Sequence, residues 1–289
     1  MIKKIYSRIR NTMDEIRRSM IVYSRFLSSY RKNTPPRVSS VLNGGIGLYY
    51  WDETDNLGDY LSYVVCDHMS RNLSSSEAPS SGKVLYAIGS ILGFIRQDAV
   101  VWGSGILSAD WAYRLYAKHS NLDIRAVRGP NTAKVLRSIG KNVPEIYGDP
   151  AILMPDIYQP APMQKQYPIS FIPHFSDKTP IPSGVHRIEI QTRDYQHVID
   201  QIASSQLVIS SSLHGVILAE TYGVPAVLLL HEYQNCFKYE DWYLSTGRSC
   251  VYAHTIEEAM HMQPPCLPDL TQMQQKLIAA FPQDMWQHS

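Results

Sequence analysis

From Ile2 to Tyr30 the chain repeats one pattern. Ile2, Ile5, Ile9, Met13, Ile16, Met20, Tyr23, Leu27 and Tyr30 are spaced by three or four residues throughout. That period places them on one stripe of a helix of about eight turns. The opposite side is basic: residues 1–37 hold ten Lys and Arg against Asp14 and Glu15, a charge of +8, and the rest of the chain carries −7. A long amphipathic helix with a cationic face predicts an element lying in an anionic membrane surface through residues 2–32. The same stripe would also serve to pack the helix on its own domain or on a second copy, as in a homo-oligomer. Asn33 to Arg37, with two prolines, followed by Ser39 and Ser40, reads as a linker.

Past the linker, short apolar runs alternate with helical periods. Strands are predicted over 47–51, 84–88, 99–102 and 124–127, with helices over 58–72, 91–95 and 131–139. A proline-rich stretch follows (Pro155, Pro160, Pro162, Pro168). Alternation then resumes, with strands over 169–173, 187–190, 207–209 and 226–230 and helices over 195–204 and from Leu213 to the stop at Gly223. Two successive βα blocks predict two Rossmann-like α/β domains, 44–162 and 163–289, preceded by a helix and linker over 1–43. Their C-terminal strand ends are expected to line a cleft.

Composition narrows the class. The 289 residues are 44% hydrophobic and 18% charged, which predicts a compact globular chain. A net charge of +1 offers no global attraction for nucleic acid. Cys66, Cys236, Cys250 and Cys266 form no CxxC pair and no zinc spacing with histidine, so no metal site is expected and a reducing, cytoplasmic setting fits best. There is no run of eighteen apolar residues and no signal-peptide pattern, so no spanning helix is expected, and the basic N-terminal helix predicts a peripheral position at the membrane's inner face.

Polar clusters punctuate the predicted strand ends. They are Asn56-Leu57-Gly58-Asp59, Gly103-Ser104-Gly105, Arg128-Gly129-Pro130, Gly148-Asp149-Pro150, Pro173-His174 and Ser210-Ser211-Ser212-Leu213-His214-Gly215. Each alone is a common turn or cap. The last is the most informative. A strand runs into hydroxyls and then into a helix whose first N–H groups lack acceptors, an arrangement that attracts anions. His214 adds a group able to donate a hydrogen bond, carry charge or move a proton near neutral pH. A capped core helix with a packed histidine is the plainer alternative.

In this order, and with Glu220-x-Tyr222-Gly223-Val224-Pro225 and Lys238 to Gly247, these motifs resemble the polysaccharide pyruvyl transferases over about residues 46–250. The resemblance implies a fold like the two-domain GT-B glycosyltransferases. It implies phosphoenolpyruvate as donor, no further cofactor, and a sugar acceptor, here expected to be a lipid-linked oligosaccharide. Phosphoenolpyruvate would place a cyclic pyruvate ketal across two sugar hydroxyls and release phosphate. Such chemistry requires cations for the donor, a general acid and a general base.

Within that resemblance His214 is expected to bind phosphate or give a proton, and Arg128 to clamp an anion. Asp59 is the candidate base on the acceptor, its alternative being a first-turn helix acid. His174 is a second proton-transfer candidate, or a packed strand-end histidine. Lys238 is expected to neutralise an anion unless it is simply solvated. Asn56, Ser104, Asp149, Ser211, Ser212, Leu213 and Gly215 complete the expected substrate contacts. Alanine at Arg128 or His214 is expected to abolish transfer and leave the fold intact. The chain departs from part of the family at Ser212, where some members carry arginine; Lys238, Arg193 or Arg248 is expected to substitute. A nucleotide-sugar glycosyltransferase, with Glu220 as its ribose carboxylate, and a non-catalytic assembly scaffold remain the other readings.

Overall fold

The computed structural model describes residues 37–73, 83–95, 98–109, 121–162, 164–231 and 235–287. The basic helix expected at the N-terminus lies outside them. Residues 38–289 form one compact unit. Among the described residues no helix is long and apolar enough to cross a membrane.

The first half builds a five-stranded sheet. Strands β1 (Ser40–Val41) and β2 (Gly47–Tyr49) pair antiparallel, and helix α1 (Leu57–Ser70) follows. Strands β3 (Val84–Tyr86), β4 (Ala99–Trp102) and β5 (Leu122–Ala126) continue the sheet in parallel, in the order β1-β2-β3-β4-β5. Every residue of β3 and β4 is buried, as expected of parallel strands covered on both faces. Helix α2 (Pro130–Ser138) opens with proline at its first turn, where the missing N–H costs nothing. Instead of a plain proline-rich join, Pro150–Asp156 coils as a 3-10 helix, with Asp149 accepting from Ala151 N–H at 3.0 Å.

The second half repeats the scheme with a reversal. Its elements are β6 (Tyr167–Ile172), β7 (His186–Arg187), α3 (Tyr195–Ala203), β8 (Ser205–Ser210), α4 (Leu213–Thr221) and β9 (Ala226–Leu229). Helix α5 (Phe237–Ser245), β10 (Tyr252–Ala253) and α6 (Ile256–His261) follow. The parallel sheet has the order β10-β9-β8-β6-β7. From β6 the chain moves first to one side, to β7, and then crosses to the other, to β8. The strand run expected over 187–190 shrinks to two residues; beyond it the backbone joins the other half, with Leu57 N–H donating to Ile190 O at 2.9 Å.

The last helix, α7 (Thr271–Ala279), and the 3-10 turn Gln283–Trp286 return to the first sheet. Trp102 Nε1 donates to Leu277 O at 2.8 Å and its ring meets Phe281 edge-on at 4.9 Å. Trp286 Nε1 donates to Asn43 O at 2.7 Å. One apolar core therefore runs from Leu48 and Trp102 through Ile217 to Phe281 and Trp286. Trp102→Ala should cost about 3–5 kcal/mol in urea unfolding, because it empties a fully buried site and removes the bond to the Leu277 carbonyl.

Candidate functional site

The strand order reverses between β6 and β8, and open α/β sheets bind ligands outside the carboxyl ends of strands at such a point. The segments leaving those ends are Pro173-His174 and Ser211-Ser212. Their hydroxyls divide the work. Ser210 Oγ lies 2.8 Å from Ile172 O and accepts from Ser212 N–H at 3.0 Å, which shapes the turn into α4. Ser211 Oγ donates to Asp177 Oδ2 at 2.5 Å and accepts from His174 N–H at 2.9 Å, while its carbonyl accepts from Tyr239 OH at 2.8 Å. Leu213 and Gly215 are buried in the same turn, Gly215 against Ser210 and Ile172. Ser212 stands at the N-cap with extended backbone and makes no capping bond through its side chain. So Ser211, Leu213 and Gly215 build the turn, and Ser212 and the first-turn N–H groups are what it presents.

Helix α1 brings the other half to this point. Gly58 lies against the His214 ring, and a Cβ there would overlap Nδ1, so the close approach requires glycine. One residue on, Asp59 accepts from Asn56 Nδ2 at 2.5 Å. Burial pushes the Asp59 carboxyl up to about 6, although His214, Lys238 and the Asn56 bond oppose the shift.

On the far side of the His214 ring, Nε2 faces Asp149 Oδ2 at 3.5 Å. Arg128 has no exposed surface. Its Nη1 donates to Ser90 Oγ at 2.8 Å, and its Nη2 donates to Ile106 O at 2.8 Å and sits 3.2 Å from Asp241 Oδ2. Gly105 packs flat against this guanidinium, where any Cβ would collide. Arg128 is therefore a braced, buried cation and not an open clamp. The expectation that alanine here spares the fold is corrected for that reason: Arg128→Ala would leave Asp241 buried and uncompensated.

Lys238, in the first turn of α5, is drawn down to about 8, mainly by desolvation and then by Arg128, with Asp59 opposing. His174 is depressed to about 3 by burial, then by Lys238, and is held neutral. The other substitutes expected for the missing arginine are engaged elsewhere. Arg193 pairs with exposed Asp55 at 2.9 Å and covers the Tyr60 ring. Arg248 grips Glu220 through two bonds of 2.7 and 2.8 Å, and Trp242 Nε1 donates to the same carboxylate at 3.1 Å.

Sequence reasoning missed Asp177, His231, Asp241 and Tyr239. Burial alone would raise the Asp177 carboxyl, but bonds from Ser211, Thr179 and His231 outweigh it and hold it below the usual range. Asp241 and Tyr239 lie in the stretch from Lys238 to Gly247, whose helical register placed them nowhere without the facing half.

Four buried polar atoms of these segments have no hydrogen-bond partner: Ser104 Oγ, Arg128 Nε, Asp149 Oδ2 and His214 Nε2, the last two facing each other. Orphans of this kind are costly and cluster at ligand sites. Among the described residues, no group of three His, Cys, Asp or Glu side chains is placed to hold a metal ion. The arrangement can bind an anion at the α4 N-terminus and exchange protons with it near neutral pH.

Asp59 yields a test by stability. Its pKa rises from 3.8 to about 6 on folding, so wild-type stability falls as pH rises through that window. Asp59→Asn should be more stable than wild type by on the order of 1–3 kcal/mol at pH 7.5, with the gain vanishing by about pH 4. Denaturant titration at the two pH values checks it.

The polysaccharide pyruvyl transferase family model matches residues 56–233, which includes Asp59, Arg128, Asp149, His174 and His214. The succinoglycan biosynthesis protein ExoV of Rhizobium meliloti (strain 1021) is 31% identical over 216 residues, 69% of this chain and 64% of that one. The uncharacterized protein L143 of Acanthamoeba polyphaga mimivirus is 30% identical over 151 residues, 48% of this chain and 50% of that one. The matches thus span between half and two thirds of these relatives' lengths. A solved structure of a functionally uncharacterized Klebsiella pneumoniae protein aligns over 86% of this chain and 98% of its own, at 15% identity and a TM-score of 0.43. With more than half of its length matched by the family model, the chain belongs to the polysaccharide pyruvyl transferase family.

Proposed function

We propose that the chain transfers pyruvate from phosphoenolpyruvate to two hydroxyls of a sugar in an exopolysaccharide or its lipid-linked precursor, within a GT-B-like pair of domains. The observation that carries the reading is the convergence of Asp59, Lys238 and His214 on the α4 N-terminus, two of them with pKa values pushed toward neutrality. The donor's phosphate and carboxylate meet the first-turn N–H groups, Lys238 and His214, with buried Arg128 adding positive potential from behind. A proton goes to C3 of the enol, C2 becomes electrophilic, and a sugar hydroxyl adds there after losing its proton to a base such as Asp59. The C2–O bond to phosphate breaks, and a second hydroxyl closes the ketal, leaving inorganic phosphate.

Succinoglycan in the relative's name supports a polysaccharide acceptor. The nucleotide-sugar reading loses its carboxylate, since Arg248 and Trp242 occupy Glu220. We further propose that the basic stripe of residues 2–32 docks on anionic lipid near such an acceptor.

With phosphoenolpyruvate and a hexose-terminated acceptor, mass spectrometry should find one pyruvate gained per phosphate released. His214→Asn should lower kcat by about 10²–10⁴-fold, the range for loss of a general acid or base. A product enlarged by a whole hexose from a nucleotide-sugar donor would replace this reading. Deleting residues 1–36 should release the protein from anionic vesicles while sparing turnover of a water-soluble acceptor; loss of that turnover, or unchanged vesicle binding, counts against the docking role.

A further inference from the structure

The two nitrogens of His214 meet different surroundings. Nε2 is buried, has no hydrogen-bond partner and faces Asp149 Oδ2 at 3.5 Å. Nδ1 lies along bare Gly58, at the first turn of α1, and is not among the buried atoms left without a partner. Asp149 is equally lopsided. It is wholly buried, its Oδ1 accepts from the Ala151 N–H at 3.0 Å, and its Oδ2, with no hydrogen-bond partner, faces the His214 ring at 3.5 Å. With one oxygen held by the cap, turning the carboxylate away from the ring would break the Ala151 bond.

We propose that Asp149 is a positioning residue for His214: its carboxylate takes the Nε2 proton side of the imidazole and leaves Nδ1, on the Gly58 side, as the nitrogen that meets the donor. The assignment gives Asp149 a different role from a substrate contact. A carboxylate aimed at an incoming dianion would repel it, whereas one masked behind an imidazole orients the ring and balances its charge when it takes a second proton. It also gives a reason for Gly58, since any side chain there would cover Nδ1. The other titratable neighbours face the ring from two further elements. Asp59 comes from α1 and His174 from the segment after β6, and Lys238 of α5 acts on both. Among these groups it is Asp149 that meets Nε2, at 3.5 Å.

The role in the reaction rests on the transfer proposed above, so the primary readout is chosen to be independent of turnover. Nitrogen-15 NMR of histidine-labelled protein reports which ring nitrogen carries the proton. Wild-type His214 should carry it on Nε2. In Asp149→Asn the amide oxygen can keep the Ala151 cap while its NH2 points at Nε2, so the neutral ring should switch to the Nδ1–H form. In transfer assays the same variant should lose kcat by on the order of 10²–10⁴-fold with the KM for phosphoenolpyruvate changed less than about threefold. Asp149→Ala, which also removes the cap, should lower the melting temperature where Asp149→Asn does not.

An unchanged His214 tautomer in Asp149→Asn overturns the proposal. So does full turnover in Asp149→Asn beside a lowered melting temperature in Asp149→Ala, which would make Asp149 a cap only. If the tautomer switches but no form of the enzyme turns over phosphoenolpyruvate, the dyad stands and the proposed reaction falls.

Discussion

The buried pair of Arg128 and Asp241 is the constraint on which the rest of the site depends. Both side chains are fully enclosed, at 3.2 Å, and Asp241 also accepts from Thr132 N–H and Thr132 Oγ at 3.0 and 2.6 Å. Taking two charges out of water is costly, and removing either partner alone typically costs about 3–5 kcal/mol. The pair therefore fixes the end of β5, the start of α2 and helix α5 as one assembly. Lys238 sits three residues before Asp241 on that helix, so the pairing also determines where the lysine stands.

Around this brace the site is held in an uncomfortable charge state. Asp59 is pushed toward its neutral form, Lys238 toward losing its proton, and His174 is kept uncharged. Desolvation is the leading cause in each case. Protein interiors bear such imbalance chiefly at functional sites. A donor with two anionic groups would offer countercharge to Lys238 and, by excluding water, strengthen the interactions around it.

Much of this was legible in the sequence, and what was missed has identifiable causes. The run from Val208 to Gly223 gave β8 and α4 because an apolar strand, a serine cap and a glycine stop are local signals. The strand expected over 187–190 failed because Ile188 and Ile190 are apolar in alternation yet serve the core beyond the sheet edge. Arg128 was identified from its motif, but an open clamp cannot be told from a braced cation without knowing that Asp241, 113 positions later, lies opposite. Asp177 and His231 were invisible for the same reason: only the reversal of strand order at β6 brings them to Ser211. Asp149 was expected from its strand-end motif as a substrate contact, while its facing of His214 comes from the packing of the two halves.

The central claim is that this site accepts a small dianionic donor and not a nucleotide sugar. Ligand binding to the folded state raises its stability by about 2.7 kcal/mol at a hundredfold excess over Kd. Melting temperature measured with phosphoenolpyruvate, UDP-sugars and GDP-sugars at matched ionic strength separates the two directly. The account expects a dose-dependent rise with phosphoenolpyruvate that is lost in His214→Asn, and no rise with either nucleotide sugar. A rise with a nucleotide sugar and none with phosphoenolpyruvate would contradict it.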